Sequence, residues 1–500
     1  MRPLLRTAAL PAILLCLGAL GAPNDATAQQ ADPAVYIAQV EVAQPEAGDN
    51  ELAAMSVEQL MAHFNVPGFS VAVIRDFEIH WAKGYGIRDV ETGDPVDTET
   101  MFQAASISKP VAAMGSLKAV QDGLFDLDDD INDILTSWSL DGEGLTSGQP
   151  VTPRTLMSHT SGLGDAFGFP GYDPSLTLPT PVQIFDGHEL SNVGPLFMER
   201  APYEAFEYSG GGVTVMQQAL ADARGRPFED ILQDDVLGPI GMTRSSFAQP
   251  LSPEHDRNAA RAHDGDGESM GSKWHVYPEM AAAGLWTTPT DLARFAIEVQ
   301  MSARGESNRV LNRVTVREML TPVGVGAFAV GFQLAREGEG WYFQHGGSNW
   351  GFRGNVMAHT VKGYGFAIMT NADQGGALAS EIGRRIQVAY EWDSMAAPVP
   401  RGYRPPVQRT EVEVPGELLA EYAGTYPLGD GPTLEFRIED GQFVVEATGQ
   451  GTFPVFAESD TDFFLRVAEV TFTFTRDDAG IVDGLIFRQG GQTISATKVR

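Results

Sequence analysis

Cysteine is almost missing from this sequence: Cys16 stands alone. It lies in the apolar run from Ala8 to Leu20, which follows Arg2 and Arg6 and precedes the small-x-small stretch Ala26-Thr27-Ala28. Such a run is too short to span a bilayer, so residues 1–28 read as a secretory signal peptide, with cleavage expected after Ala28 and a secreted or periplasmic product. Ahead of Cys16 stand Ile13-Leu14-Leu15, without the small side chains that precede a lipidated bacterial cysteine. The mature chain then carries no thiol. That excludes disulfides, thiolate zinc sites, iron–sulfur clusters and a cysteine nucleophile, even though export would permit disulfides.

Basic residues are scarce as well: 34 Lys and Arg face 66 Asp and Glu, a formal charge of −32. Such a surface repels phosphate backbones and anionic lipid, so no nucleic acid and no stable membrane anchor is expected. Of the nine histidines none forms a His-x-His or His-Glu-x-x-His pair. Without thiolates to help them, neither a metal nor any other cofactor is expected. At 43% hydrophobic and 20% charged over 500 residues, the chain is globular and long enough to build a large core. It does not reveal an oligomeric state.

The organisation changes near residue 400. Between Ala397 and Gly416 stand Pro398, Pro400, Pro405, Pro406 and Pro415 without apolar periodicity, which reads as an extended linker over 396–416. Beyond it come short β-rich runs, Leu434 to Ile438, Gln442 to Val445, Asp462 to Val467, Val470 to Thr475 and Leu485 to Phe487. Asp440-Gly441 and Gly490-Gly491 supply turns between them. Strict alternation in Val470–Thr475 buries one face, so residues 417–500 are expected to form a small antiparallel β-barrel. Residues 29–395 are mixed. Phe69–Ile74 and Ile79–Ala82 look like a hairpin turning near Arg75-Asp76, helical patterns follow at 110–122, 213–224 and 290–302, and strand signals return at 364–370. An α+β domain follows, with one antiparallel sheet assembled from both ends of the region around a helical middle.

Two motifs take an ordinary reading. Asp126, Asp128, Asp129 and Asp130 resemble a calcium loop, but Ile131 stands where the turn needs glycine, so the run caps a helix. Gly267-Glu268-Ser269-Met270-Gly271 matches a nucleophile-elbow pattern but lies in a polar loop with no apolar strand ahead of it.

One constellation carries chemistry. In Ser106-Ile107-Ser108-Lys109-Pro110 a hydroxyl and an amine lie three residues apart, at or just before a helix that Pro110 can occupy only in its first turn. That spacing puts both groups on one face, where an amine can take the serine proton and the helix N-terminus can stabilise an oxyanion. Alone the pattern is weak, but its company is not. In family order follow Val151 to Leu163, which contains Ser158-His159-Thr160-Ser161-Gly162; Tyr208-Ser209-Gly210; Asp235 to Met242; Ala283 to Ala293; and His345-Gly346-Gly347-Ser348. With these motifs residues 50–392 resemble the serine β-lactamase, penicillin-binding protein and esterase superfamily, in its class C β-lactamase-like branch. The tail from about Leu418 resembles the lipocalin-like barrel of some esterase and D-amino-acid peptidase relatives.

The resemblance implies a β-lactamase-like fold and a set of roles. Ser106 is the acylated nucleophile, Lys109 keeps its proton mobile, and Tyr208 relays protons to the leaving group. The backbone N–H groups of Ser106 and Ser348 form the oxyanion hole, while Gly210, His345, Gly346 and Gly347 line the pocket. His159 is expected to be framework. Two positions depart from the family: Gly210 replaces an asparagine whose amide grips a substrate carbonyl, and His345 replaces a lysine that attracts a carboxylate. Both favour an exported serine hydrolase of esters, small amides or peptides. The alternatives are a β-lactamase or D-Ala-D-Ala carboxypeptidase and, from another class, a non-catalytic penicillin- or peptidoglycan-binding protein.

Overall fold

The hairpin expected near the start of the domain is present, and it anchors everything else. Strand β1 (Gly68–Arg75) turns through Asp76 and Phe77 into β2 (Glu78–Asp89). Both turn residues are left-handed, with φ of 53° and 64°, as a tight hairpin with right-twisted strands requires. The other strands are β3 (Asp94–Pro95), β4 (Gln333–Glu337), β5 (Gly340–Asn349), β6 (Phe352–His359) and β7 (Gly365–Thr370). They form one seven-stranded sheet in the order β3-β2-β1-β7-β6-β5-β4. β1 pairs antiparallel with β7, Phe69 opposite Thr370, so the sheet is assembled from both ends of the region as expected. The computed structural model describes residues 32–44, 50–140, 149–164, 169–337, 340–392, 411–412, 414–429, 432–439, 441–448, 452–465, 470–477, 479–489 and 492–499.

Period-two alternation gives the sheet two apolar faces. Phe69, Val71 and Val73 of β1, with Phe366 and Ile368 of β7, pack on Val57, Leu60, Leu378, Ile382 and Ile386. Ala72, Ile74, Ala367 and Met369 point the other way, toward Leu292, Phe295, Ala296 and Val299. Val57 and Leu60 lie on the short helix Val57–His63; the longer helices are α1 (Ser108–Gln121) and α2 (Gly210–Arg224) of the helical middle, α3 (Pro289–Arg304), which carries Leu292 to Val299, and α4 (Gly375–Ala389), which carries Leu378 to Ile386. The first three match the expected helical patterns within a few residues. β4, β6 and α4 were not anticipated, because their sequences are short or rich in glycine and arginine.

The expected signal peptide lies outside the described residues, as do most of the linker, Asp440 and the Gly490-Gly491 turn. After a helix at Gly416–Tyr422, residues 424–497 form a four-stranded and a five-stranded antiparallel sheet around one core. An isolated bridge between Thr425 and Val499 links the start of the first sheet to the end of the chain. No helix among the described residues is long and apolar enough to cross a membrane.

The two motifs set aside on sequence hold ordinary positions. Asp130 accepts from Asn132 N–H at 2.9 Å at the start of the helix Ile131–Ile134, and Asp128 pairs with Arg154. Ser269 donates to Glu91 at 2.7 Å from its loop.

Candidate active site

The serine of the Ser-x-x-Lys element lies in a tight turn, Ala105–Ile107, that runs directly into α1. Every residue from Met101 to Leu117 is buried except Ser106, which is partly exposed. The chain is therefore folded so as to present one hydroxyl. Ala105 ahead of it is left-handed, φ 50°, a conformation that costs a non-glycine residue free energy and needs enforcement from outside. Three contacts enforce it. Ser108 Oγ donates to the Ala105 carbonyl at 2.5 Å and accepts from Leu285 N–H at 2.9 Å, while Ala104 N–H donates to the Leu285 carbonyl at 2.8 Å. Lys109, 3% exposed, donates from Nζ to Ser106 Oγ at 3.0 Å and to the Ala282 carbonyl at 2.9 Å. Among the described residues it pairs with no carboxylate, so its proton has the serine oxygen as its mobile partner.

One wall comes from β5. Its pairing with β4 stops at Gln344, so residues 345–349 form a sheet edge among the described residues. Gly347 brings that edge against the serine turn, since a Cβ there would stand 2.2 Å from the Ala104 carbonyl oxygen. Asn349 fastens it further, donating to Gln103 at 3.0 Å and to the Ala283 carbonyl at 3.1 Å. Gly346 and Ser348 are exposed along this edge. His345 is buried, its Nδ1 2.7 Å from the Gly346 carbonyl and its Nε2 without a partner among the described residues. Burial and the nearby Lys109 push its imidazole down to about 3, so it is neutral at pH 7.

The other wall holds Tyr208, 42% exposed, immediately before α2. Lys109 Nζ is 4.9 Å from its ring centroid. His159 and Phe328 pack on the same ring, at 4.2 and 6.1 Å, and His345 lies 6.2 Å away. Gly210 is not an open gap. A Cβ there would lie 2.8 Å from Phe169 Cε2, so an aromatic ring occupies the space into which a longer side chain would grow.

The turn that offers Ala282 to Lys109 hides an unexpected acid. Glu279 is fully buried, neither carboxylate oxygen reaches a partner on another residue, and burial raises its carboxyl to about 8. Its backbone carbonyl accepts from Ala282 and Ala283. Nothing in the sequence marks it, because a lone glutamate ahead of an alanine run reads as a solvent residue.

Comparison with known proteins matches this architecture. A family model described as Beta-lactamase covers residues 54–391, and one described as Domain of unknown function (DUF3471) covers residues 408–498. The chain belongs to the Beta-lactamase family. Penicillin-binding protein 4* of Bacillus subtilis is 22% identical over 444 residues, 83% of this chain and 91% of that protein. The octameric penicillin-binding protein homologue from Pyrococcus abyssi aligns with a TM-score of 0.56 at 21% identity, over 88% of this chain and 98% of its own. The β-lactamase/D-alanine carboxypeptidase from Yersinia pestis aligns with a TM-score of 0.52 at 18% identity, over 67% of this chain and 96% of its own.

Within this Beta-lactamase-family chain the structure brings Ser106, Lys109, Tyr208 and His345 together, with Gly346, Gly347 and Ser348 along one edge. Gly210 stands two residues after Tyr208, at the start of α2, with Phe169 against it. Among the described residues no three histidine, cysteine or acidic side chains are grouped as a metal site.

Proposed function

We propose that this protein is an exported serine hydrolase that acylates Ser106, acting on uncharged esters and small amides. The observation that carries the reading is the 3.0 Å contact from Lys109 Nζ to the one partly exposed residue of an otherwise buried segment, Ser106. In the reaction Ser106 Oγ adds to the substrate carbonyl carbon and its proton passes to Lys109 or Tyr208. The same proton goes to the departing alcohol or amine as the carbon–leaving-group bond breaks. Water then adds to the acyl-serine and releases the acid. The backbone N–H groups of Ser106 and Ser348 serve as the oxyanion hole. Neutral His345 supports a preference for substrates without a carboxylate, and the Phe169-filled position at Gly210 supports one for substrates that need no amide grip on a second carbonyl.

The same proposal divides the chain into a signal peptide at 1–28, a hydrolase domain at 29–395, a linker at 396–416 and a lipocalin-like barrel at 417–500. A β-lactamase or D-Ala-D-Ala carboxypeptidase is the second reading, favoured by the names of the relatives above. Labelling purified protein with a fluorophosphonate and with fluorescent penicillin, and comparing p-nitrophenyl acetate with nitrocefin, tests both. Labelling by the fluorophosphonate with faster ester turnover supports the ester reading. Faster nitrocefin turnover supports the second, and no label from either reagent points to a non-catalytic binder.

A further inference from the structure

His159 sits against the proposed proton relay. Its backbone is left-handed, φ 60°, its side chain is buried, and its ring lies 4.2 Å from that of Tyr208 at an angle of 31°. Ser209 N–H donates to its Nδ1 at 3.1 Å, and Glu207 N–H donates to its carbonyl oxygen at 2.9 Å. Both neighbours of Tyr208 in the chain therefore hang from this one residue. A phenylalanine could supply the ring contact but not the acceptor. Accepting at Nδ1 leaves the proton on Nε2, and that N–H reaches no hydrogen-bond partner among the described residues. The ring stands edge-to-face with Phe328 at 4.8 Å.

We propose that His159 is a positioning residue: it fixes Tyr208 through the two flanking amides and the ring contact, and it neither takes nor gives the proton that Tyr208 moves. The proposal rests on the reading of Tyr208 as the relay. The Nδ1 lone pair is spent on Ser209, so the ring has no free base with which to receive a proton. The titratable groups that act on its charge are Lys109 and His345, and both, like its burial, oppose a positive ring; Tyr208 meets it through ring contact. His345 has the opposite tautomer, with Nδ1 turned to the Gly346 carbonyl and the lone pair on Nε2. Of the two buried Nε2 atoms one thus keeps a proton, which is unsuited to joint cation binding.

Two measurements test this. Long-range proton–nitrogen correlation spectra of histidine-labelled protein should show one ring, absent from His159→Asn, that stays neutral with Nδ1 unprotonated through the ordinary histidine range around pH 6.5. A ring that titrates in that range, or carries its proton on Nδ1, overturns the proposal. The spectra require no turnover, so they separate this proposal from failure of the hydrolase reading. For kinetics, His159→Asn keeps an acceptor for Ser209 and tolerates positive φ, but loses the ring contact; His159→Ala loses both. With p-nitrophenyl acetate, kcat should fall about tenfold in His159→Asn and about a hundredfold in His159→Ala, with KM within threefold and the pH profile unmoved. Wild-type kcat in both, or loss of one limb of the profile, overturns it.

Discussion

The two parts of this chain solve burial in opposite ways. Among the described residues the buried polar and charged side chains run from Ser70 to Gln387, and none lies in 411–499. The tail is packed on Tyr422, Tyr426, Phe436, Phe443, Phe463, Phe472 and Phe474, with the two tyrosine hydroxyls donating at 2.8 Å to the carbonyls of Asp460 and Tyr422. The larger part buries Arg385 with Glu381 and four backbone carbonyls, a fully satisfied network. Around Ser106 it does something costlier. Lys109 meets neutral partners, and Glu279, His159 and His345 keep buried atoms without partners. Unsatisfied buried polar groups reduce stability and persist where chemistry selects for them. The described tail keeps no such atom, whereas the larger part keeps others at Gln300, His359 and Gln387, outside the proposed chemistry, so the contrast is between a part that buries polar groups and one that does not.

The largest break in that comparison comes from the serine itself. Ser106→Ala should lower turnover of p-nitrophenyl acetate by at least about 10⁴-fold, since nucleophile removal has effects of that order or greater. Its hydroxyl caps no helix in the structure, so the melting temperature should stay within a few degrees. Lys109→Arg should be nearly as inactive, because a guanidinium stays protonated and cannot cycle the proton. Adduct formation on the alanine variant in intact-mass spectra would sink the assignment.

The tail should answer in the opposite currency. Phe474 is buried and stacks on Tyr422 at 4.3 Å, with Tyr426, Phe436 and Phe463 around it. Phe474→Ala should cost about 3–5 kcal/mol of folding free energy in that region. Small-ester turnover should hardly change. A matching loss of kcat would show that the two parts depend on one another.

A smaller effect, on stability against pH, belongs to Glu279. Its folded value is raised to about 8, so the folded chain holds a proton that the unfolded chain releases. Its favourable term is complete below the ordinary carboxylate range and is lost as pH rises toward 8. His159 and His345 act in the other direction, with stability lost as pH falls below the ordinary histidine value of 6.5. Between pH 6.5 and 8 Glu279 is therefore isolated, and at about 1.4 kcal/mol per pH unit it should account for about 2 kcal/mol. Denaturant titrations of wild type and Glu279→Gln should differ in slope against pH by that amount. Parallel curves would mean that the carboxyl is ionised throughout.

What was legible in the sequence divides along the same line. The apolar run of β1, the strict alternation in Val470–Thr475 and the helical patterns at 110–122, 213–224 and 290–302 report local structure directly, so the hairpin, three helices and the strand-rich tail could be read. Ser106 and Lys109 lie three apart, and the other motifs stand in family order. His159 was read as framework, and its contact with Tyr208 depends on a left-handed turn that spacing does not encode. Glu279 and Phe169 gave no signal at all, because their importance is what surrounds them. A glycine in place of asparagine reads as space, and only packing shows Phe169 in it.

That last point yields the smallest and sharpest prediction, about preference between substrates. If Gly210 were an open position, Gly210→Asn would restore a carbonyl-gripping amide and raise nitrocefin turnover by the value of one hydrogen bond, about 1 kcal/mol or several-fold. The structure says otherwise. The new Cβ would stand 2.8 Å from Phe169, so the single variant must push an aromatic ring aside, a penalty comparable with the gain. Phe169 is only partly buried and can be trimmed. Gly210→Asn alone should leave the ratio of nitrocefin to p-nitrophenyl acetate turnover within about threefold of wild type, while Phe169→Ala with Gly210→Asn should raise it by about the factor of one hydrogen bond. His345→Lys should add little to either, because burial beside Lys109 opposes a second ammonium there, as it already opposes the imidazolium. A several-fold gain from Gly210→Asn by itself would show that Phe169 does not hold the position, and equal ratios in the single and double variants would remove Phe169 from the specificity of this site.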